Sequence, residues 1–364
     1  METELQRLLG EIGPLDGGAM ERARVRQGML AKPPGSLGKL EDAAIRLAGI
    51  TGQVHNRVEK RRIIVLCADN GVAEEGVASA PQSVTMAQAV NMTRRLTGMS
   101  TLAKHFGDDV QVVDMGIACP YHCPAVLDRS LAKGTRNLYR ESAMTRDQAV
   151  KAILTGAALA EQAKAEGFQA VGVGEMGIGN TTTSAAVLAA LTGAAVAEVT
   201  GRGGGITDQS FEKKKQVITE ALRRHRPDPG DPVDVLSKVG GFDLAAMCGV
   251  FLGAARCRLP VVIDGFISIV AALCAARLRR EAADYMFPSH ASYEIGYALA
   301  AKELGLSPWL LLDMRLGEGS GCPLAFLVLE AACAVMNEMA TFEEAAIDDG
   351  YLNEIREGDS FTVC

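Results

Sequence analysis

FQAVGVGEMGIGNTTTSAA, residues 168–186, passes within nineteen letters from an apolar run to a glycine-rich turn and then to a helix start. Its first part, Phe168 to Gly174, is a nearly unbroken apolar strand, as expected where both faces of a sheet are covered. Four more runs read the same way: RIIVLCA (62–68), VQVVDMG (110–116), LPVVIDG (259–265) and WLLLDM (309–314). Helical patterns lie between them. In 146–166, Thr145 and Gln148 fit a capping box, and Val150, Ile153, Leu154 and Ala157 form one apolar face. Alternation of this kind predicts an α/β fold with an open, doubly wound, mostly parallel sheet. The strands end in Asp69 and Asn70, Asp114, Glu175, Asp264, and Arg315, Leu316 and Glu318. Ligands of such sheets bind outside the carboxyl ends of the strands, so these residues are expected to converge there.

The chain has 364 residues, 48% hydrophobic and 22% charged, enough to bury a large core without staples. Its 37 basic and 44 acidic residues leave a net charge of −7, and the basic ones are scattered. Nucleic acid is therefore not an expected partner, because that binding rests on clustered positive charge. The N-terminus has no signal-peptide pattern. The longest apolar run, Gly265 to Ala276, is shorter than the roughly 20 residues a membrane span takes. A cytoplasmic protein that does not engage membranes is expected. Nine cysteines, an odd number set mostly in apolar runs, fit a reducing compartment. Cys119, His122 and Cys123 resemble half of a metal site, but no second pair completes four ligands, and no metal is expected.

The first fifty or so residues read as helices broken by KPPGSLGKLE (32–41), and the last forty as a long apolar helix with an acidic tail. We therefore expect a large α/β domain over 55–320 and a small helical domain built from 1–54 plus 321–364.

GVGEMG (172–177) satisfies a dinucleotide fingerprint, and Glu198 lies near the place of a ribose-binding acid, which keeps an NAD-dependent oxidoreductase open as an alternative. Against it, Glu175 sits inside the loop that would cradle a pyrophosphate, where a carboxylate repels the ligand. Accepting hydrogen bonds from ribose hydroxyls suits Glu175 better. Beyond it Gly177, Gly179, Asn180 and Thr181 lead into a helix N-terminus whose free N–H groups suit one phosphate or carboxylate. TGRGGGI (200–206), containing Gly203, permits close backbone approach to a ligand, and KKK (213–215) follows on a helix. No GxxxxGK[ST] occurs, which excludes a P-loop nucleotidase. In LLDMRLGEGSGCPLAF (311–326), Glu318 stands between two glycines; spacing alone leaves both a general base and a plain turn residue open. IDDG (347–350) reads as a solvated turn, because no phosphate loop follows it.

Taken together, KPPGSLGKLE, ADNGVAEEGV (68–77), VTMAQAVNM (84–92), GVGEMGIGNTT, LSKVGGFDLAAMCGVFLGAARC (236–257), DGFIS (264–268), PSH (288–290) and MRLGEGSG (314–321) resemble the nicotinate-nucleotide:dimethylbenzimidazole phosphoribosyltransferase family over nearly the whole chain. The resemblance implies a Rossmann-like large domain, a homodimer, and neither metal nor redox cofactor. It places the catalytic glutamate on Glu318, a second active-site glutamate on Glu175, the phosphate-side lysine on Lys214 and a base-holding glutamine on Gln88. Asp264, Arg315 and Leu316 are expected among the substrate-binding residues, with nicotinate mononucleotide and an aromatic base as ligands. Asn70 departs from the histidine of many relatives. A non-catalytic nucleotide-binding regulator is the remaining alternative, and retention of Glu318 in GEGSG speaks against it.

Overall fold

A computed structural model describes residues 1–353. The chain divides into two compact units, Met1–Gly13 with Lys60–Ala325, and Pro14–Glu59 with the chain from Phe326 onward.

The larger unit is built on six strands: β1 (Arg61–Ala68), β2 (Asp109–Gly116), β3 (Leu127–Asp128), β4 (Ala170–Met176), β5 (Val261–Ile263) and β6 (Met286–Pro288). They lie in the order β3-β2-β1-β4-β5-β6, and every neighbouring pair is parallel. This is the doubly wound order of a Rossmann sheet, in which the chain reverses its direction of winding between β1 and β4. A crevice opens at the carboxyl ends of those two strands because their following connections leave to opposite sides. Both are buried over almost their whole length, which explains their unbroken apolar letters.

The 309–314 run is not a strand. Only one bridge forms there, between His290 and Leu310, and Leu311 and Leu312 are 81% and 51% exposed. The apolar letters belong to an extended surface segment; burial, not composition, makes a central strand. Its backbone is tied to residues 289–293 by a few bonds, including Trp309 N–H to the Ser289 carbonyl and Tyr293 N–H to that of Met314, both 3.0 Å.

The capping box is formed as the letters indicate: Gln148 N–H donates to Thr145 Oγ1 at 3.1 Å, and Thr145 N–H to Gln148 Oε1 at 2.9 Å. The helix it starts, Arg146–Ala165, packs on helix Phe242–Arg256 through glycines. A methyl group on Gly156 would strike the Ala246 carbonyl, on Gly249 that of Ile153, and on Gly253 that of Ala157. The two backbones approach too closely for any side chain between them.

The smaller unit contains helices Gly17–Met29 and Lys39–Thr51, and Leu30 pairs with Thr341 across a single bridge. Lys32 and Glu41, the two ends of KPPGSLGKLE, close that stretch with a 2.7 Å ion pair. The sequence places residues 1–54 together in this unit, yet helix Glu2–Gly10 lies with the α/β unit, where buried Leu5 and Leu8 face helices Arg146–Ala165 and Phe242–Arg256. Its apolar face finds the larger core. Of the expected small domain, residues 354–364 lie outside the described residues.

Candidate active site

A cleft at the carboxyl ends of β1, β4 and β5 encloses about 1140 Å³ of empty space, the solvent at its mouth included. Gln88, Glu175, Gly177, Gly179, Asn180, Thr181, Gly203, Asp264, Arg315, Leu316 and Glu318 all line it, although they come from five separate stretches of sequence.

Glu318 follows Gly317 and precedes Gly319, and all three have positive φ, at 81°, 65° and 90°. A left-handed conformation is unfavourable for a glutamate, so the surroundings must enforce it. They do so through two carboxyl groups. Glu175 Oε1 accepts the Glu318 N–H at 3.3 Å, while Asp264 accepts the N–H groups of Gly319 at 3.0 Å and Gly321 at 2.7 Å. Gly317 and Gly174 must be glycines here: a methyl on the first would run into Glu175 Oε1, and on the second into the Glu318 carbonyl oxygen. The Glu318 side chain, 4% exposed, accepts from Gln88 Nε2 at 3.4 Å and from Met99 N–H at 3.2 Å, the latter in the first turn of helix Gly98–Phe106. A carboxylate held this way at a cleft wall can accept a proton from a ligand.

Glu175, at the end of β4, is buried beside Asp243 and Asp264. Burial pushes its carboxyl up to about 8, the Asp243 charge adds to the shift, and the Asn180 amide and the Glu318 N–H oppose it. Asp264 rises to about 7, again chiefly by burial. His290 Nδ1 lies 3.8 Å from Asp264 and 3.0 Å from Ser289 Oγ; burial brings its imidazole down to about 4, so it is neutral at physiological pH.

Lys214, on helix Asp208–His225, is completely buried. Its ammonium donates to Thr181 Oγ1 and to the Gly201 carbonyl, each at 2.9 Å, so it stands behind Thr181 and not on the cleft wall. Burial lowers it to about 8, partly countered by Glu294. Glu294 Oε1 in turn accepts the Gly203 N–H at 2.9 Å, and Arg315 reaches the Gly203 carbonyl at 3.4 Å. The TGRGGGI loop is thus pinned from both sides.

Some strand-end residues do not converge on the cleft. Asp69 spends its oxygens on Thr85 Oγ1 (2.7 Å) and Ala118 N–H (2.8 Å), and Asp114 on the N–H groups of Gly116 and Ile117 and the Tyr121 hydroxyl. They tie down the connections that follow β1 and β2. Glu198 is exposed and accepts from Ala195 N–H at 3.2 Å, away from the ribose position a dinucleotide fingerprint requires. Around IDDG, Gly350 N–H bonds to Asp348 in a surface turn. Among the described residues no group of three His, Cys, Asp or Glu side chains, Cys119, His122 and Cys123 included, is arranged to hold a metal ion. The sequence reading missed Asp243 and Glu294. An aspartate directly after Gly-Gly-Phe at the start of an otherwise apolar helix was the available signal for Asp243; none marks Glu294.

A doubly wound sheet with acid–base groups and glycine-rich loops at its switch point defines an α/β enzyme of the nucleotide-handling class. The chain belongs to a phosphoribosyltransferase family, whose model matches residues 12–347. Among its relatives is the nicotinate-nucleotide–dimethylbenzimidazole phosphoribosyltransferase of Clostridium perfringens, 53% identical over 359 residues, covering 99% of both chains. The enzyme of the same name from Chloroflexus aggregans is 50% identical over 347 residues, 95% of this chain and 98% of that one. The crystal structure of the Thermus thermophilus enzyme of that name superposes with a TM-score of 0.87 at 38% identity, over 92% of this chain and 100% of that one.

Proposed function

We propose that the protein transfers the 5-phosphoribosyl group of nicotinate mononucleotide to a benzimidazole-type base, giving α-ribazole 5′-phosphate and nicotinate for the lower ligand of cobalamin. The observation that carries this reading is the Glu318 carboxylate, fixed at the cleft wall between Gln88 and the Met99 N–H in a turn that only glycine neighbours allow. The named relatives give it direction.

The chemistry suits the residues. The donor's ring nitrogen is cationic, and nicotinate leaves as a neutral pyridine, so its departure requires no proton. When one nitrogen of the benzimidazole attacks the anomeric carbon, the ring becomes cationic and its other N–H becomes acidic. Glu318 removes that proton as general base, with Gln88 steadying the base and the carboxylate. Attack opposite the leaving group turns a β-linked nucleotide into an α-linked one. Glu175 and Asn180 face the ribose. The donor phosphate is held by the 177–181 turn and the Gly203 loop, under the field of Lys214.

We place the reaction in the cytoplasm and assign a homodimer. Tyr293, Ile295, Leu311, Leu312 and Leu316 are large apolar side chains more than half exposed, on two segments joined by the Tyr293–Met314 bond. A second copy is the cover that suits this strip. Light scattering at micromolar concentration showing only monomer overturns that assignment. The reaction is tested by mass spectrometry of products from nicotinate mononucleotide and a mixture of benzimidazoles, purines and phenols. A product with the mass of the base plus a phosphoribosyl group, shown by NMR to be α-linked, supports the reading; no product, together with a thermal shift for NAD but not for nicotinate mononucleotide, overturns it.

A further inference from the structure

Asp243 is completely buried at the first turn of helix Phe242–Arg256. Its Oδ1 accepts the Leu244 N–H at 2.9 Å, and its Oδ2 accepts from Asn180 Nδ2 at 3.3 Å. The same Asn180 nitrogen donates to Glu175 Oε2 in a short contact, and Glu175 Oε1 accepts the Glu318 N–H. One carboxamide thus bridges two buried carboxyls, and the chain of bonds ends on the backbone of Glu318. Asn70 supplies Asp243 with a further side-chain donor. Gly177 and Gly241 are kept free of side chains by this cluster: a methyl on the first would lie 2.9 Å from Asp243 Oδ2, and one on the second would overlap Oδ1.

Among the described residues neither carboxyl has a cationic side chain in ion-pair contact. The other titratable groups facing them are the Cys67 thiol from β1, kept neutral by its burial and the surrounding acids, Asp264 after β5, and Glu318, whose own carboxylate is turned toward Gln88 and Met99. Two buried like charges on one amide, with nothing positive to balance them, cannot both persist.

We propose that Asp243 is a positioning residue of the transfer reaction, orienting Glu175 through Asn180 and sharing one proton with it until the cationic donor arrives. This rests on the reaction proposed above. Burial pushes both carboxyls up, Glu175 the further of the two because the Asp243 charge adds to its shift. Donor binding brings a pyridinium nitrogen and ribose hydroxyls to Glu175, both of which favour the ionised carboxylate. The O–H bond of the shared carboxyl breaks and the proton leaves to solvent.

Two measurements test this. Calorimetric titration of the wild-type protein with nicotinate mononucleotide, in buffers of different ionisation enthalpy between pH 6 and 8, is expected to show net proton release; binding with no proton exchange across that range overturns the sharing. In turnover assays, donor KM is expected to fall as pH rises through the same range. Asp243→Asn removes the like charge and should move that fall at least about one pH unit toward acid, the scale of coupling between adjacent carboxyls. Asp243→Ala, which leaves the Asn180 amide without its second acceptor, should raise donor KM several-fold at every pH while base KM stays close to wild type. A donor-KM profile for Asp243→Asn superimposed on the wild-type curve, or an Asp243→Ala defect confined to kcat, overturns the positioning role. Absence of product from the wild type instead removes the underlying reaction, a separate and recognisable failure.

Discussion

Glu318 and Glu175 meet backbone to side chain: the Glu318 N–H donates to Glu175 Oε1 at 3.3 Å, so one acid holds the other's main chain while that acid's own carboxylate stays at the cleft wall between Gln88 and the Met99 N–H. A division of labour follows. Glu318→Gln keeps the shape of the side chain and the turn between Gly317 and Gly319, and it removes only the capacity to take a proton. Turnover at saturation is expected to fall about 100- to 10,000-fold with both KM values little changed, the usual worth of a positioned general base. Steady-state kinetics against each substrate checks this; unchanged kcat with raised KM would make Glu318 a binding group.

Glu175→Gln has a signature in stability as well as in catalysis. Burial raises the folded-state protonation of Glu175 from its ordinary 4.5 to about 8. The folded state therefore binds the proton more tightly than the unfolded one. Stability from this group is complete below about pH 4.5 and is lost as pH rises toward 8. The ligand-free wild type is expected to melt at lower temperature at pH 8 than at pH 5.5, and Glu175→Gln to lose less across that interval while its donor KM is raised. Parallel melting curves for the two proteins would count against the shift.

Lys214→Met tests the buried cation. The folded state lowers this ammonium from 10.5 to about 8, so it carries a penalty that is present in full below pH 8 and relieved as pH rises through 8 to 10.5. Methionine removes the penalty and fills the space. The variant should be at least as stable as wild type at pH 7, yet bind the donor about ten-fold or more weakly, because it loses a weakly screened positive charge one hydroxyl behind the cleft. Separate titrations of donor and base decide the matter: equal losses for both would make Lys214 structural.

Gly249→Ala concerns the frame. The added methyl would strike the Ile153 carbonyl of the neighbouring helix, and neither residue lines the cleft. Destabilisation of about 1–3 kcal/mol, the cost of overpacking, is expected in denaturant unfolding, with turnover of the folded fraction retained. A neutral effect would mean that the two helices part more easily than their spacing indicates.

The parallel core was legible wherever burial on both faces wrote continuous apolar letters, as in β1, β2 and β4. β3 and β6, of two and three residues, are too short to leave a periodic trace, and the run from Trp309 to Met314 has strand letters without strand burial. Glu318 and Glu175 announced themselves through flanking glycines. Asp243 and Glu294 could not, because what makes each matter is a partner 63 or 91 residues away, Asn180 for the one and the Gly203 N–H for the other.

Lys214 gives up its water when the chain folds, not when a ligand arrives. Its nitrogen already faces Thr181 and the Gly201 carbonyl in a dry setting, one hydroxyl behind the cleft. An incoming anion therefore has no hydration shell to strip from this cation and no flexible side chain to immobilise; the reorganisation was completed beforehand. The field it meets is weakly screened and constant, and its pull grows in proportion to the anion's charge. On the reading proposed above, selectivity then falls on valence: a dianionic phosphate ester gains about twice what a carboxylate of the same reach does, so a nucleotide bearing both is expected to enter with its phosphate toward Lys214.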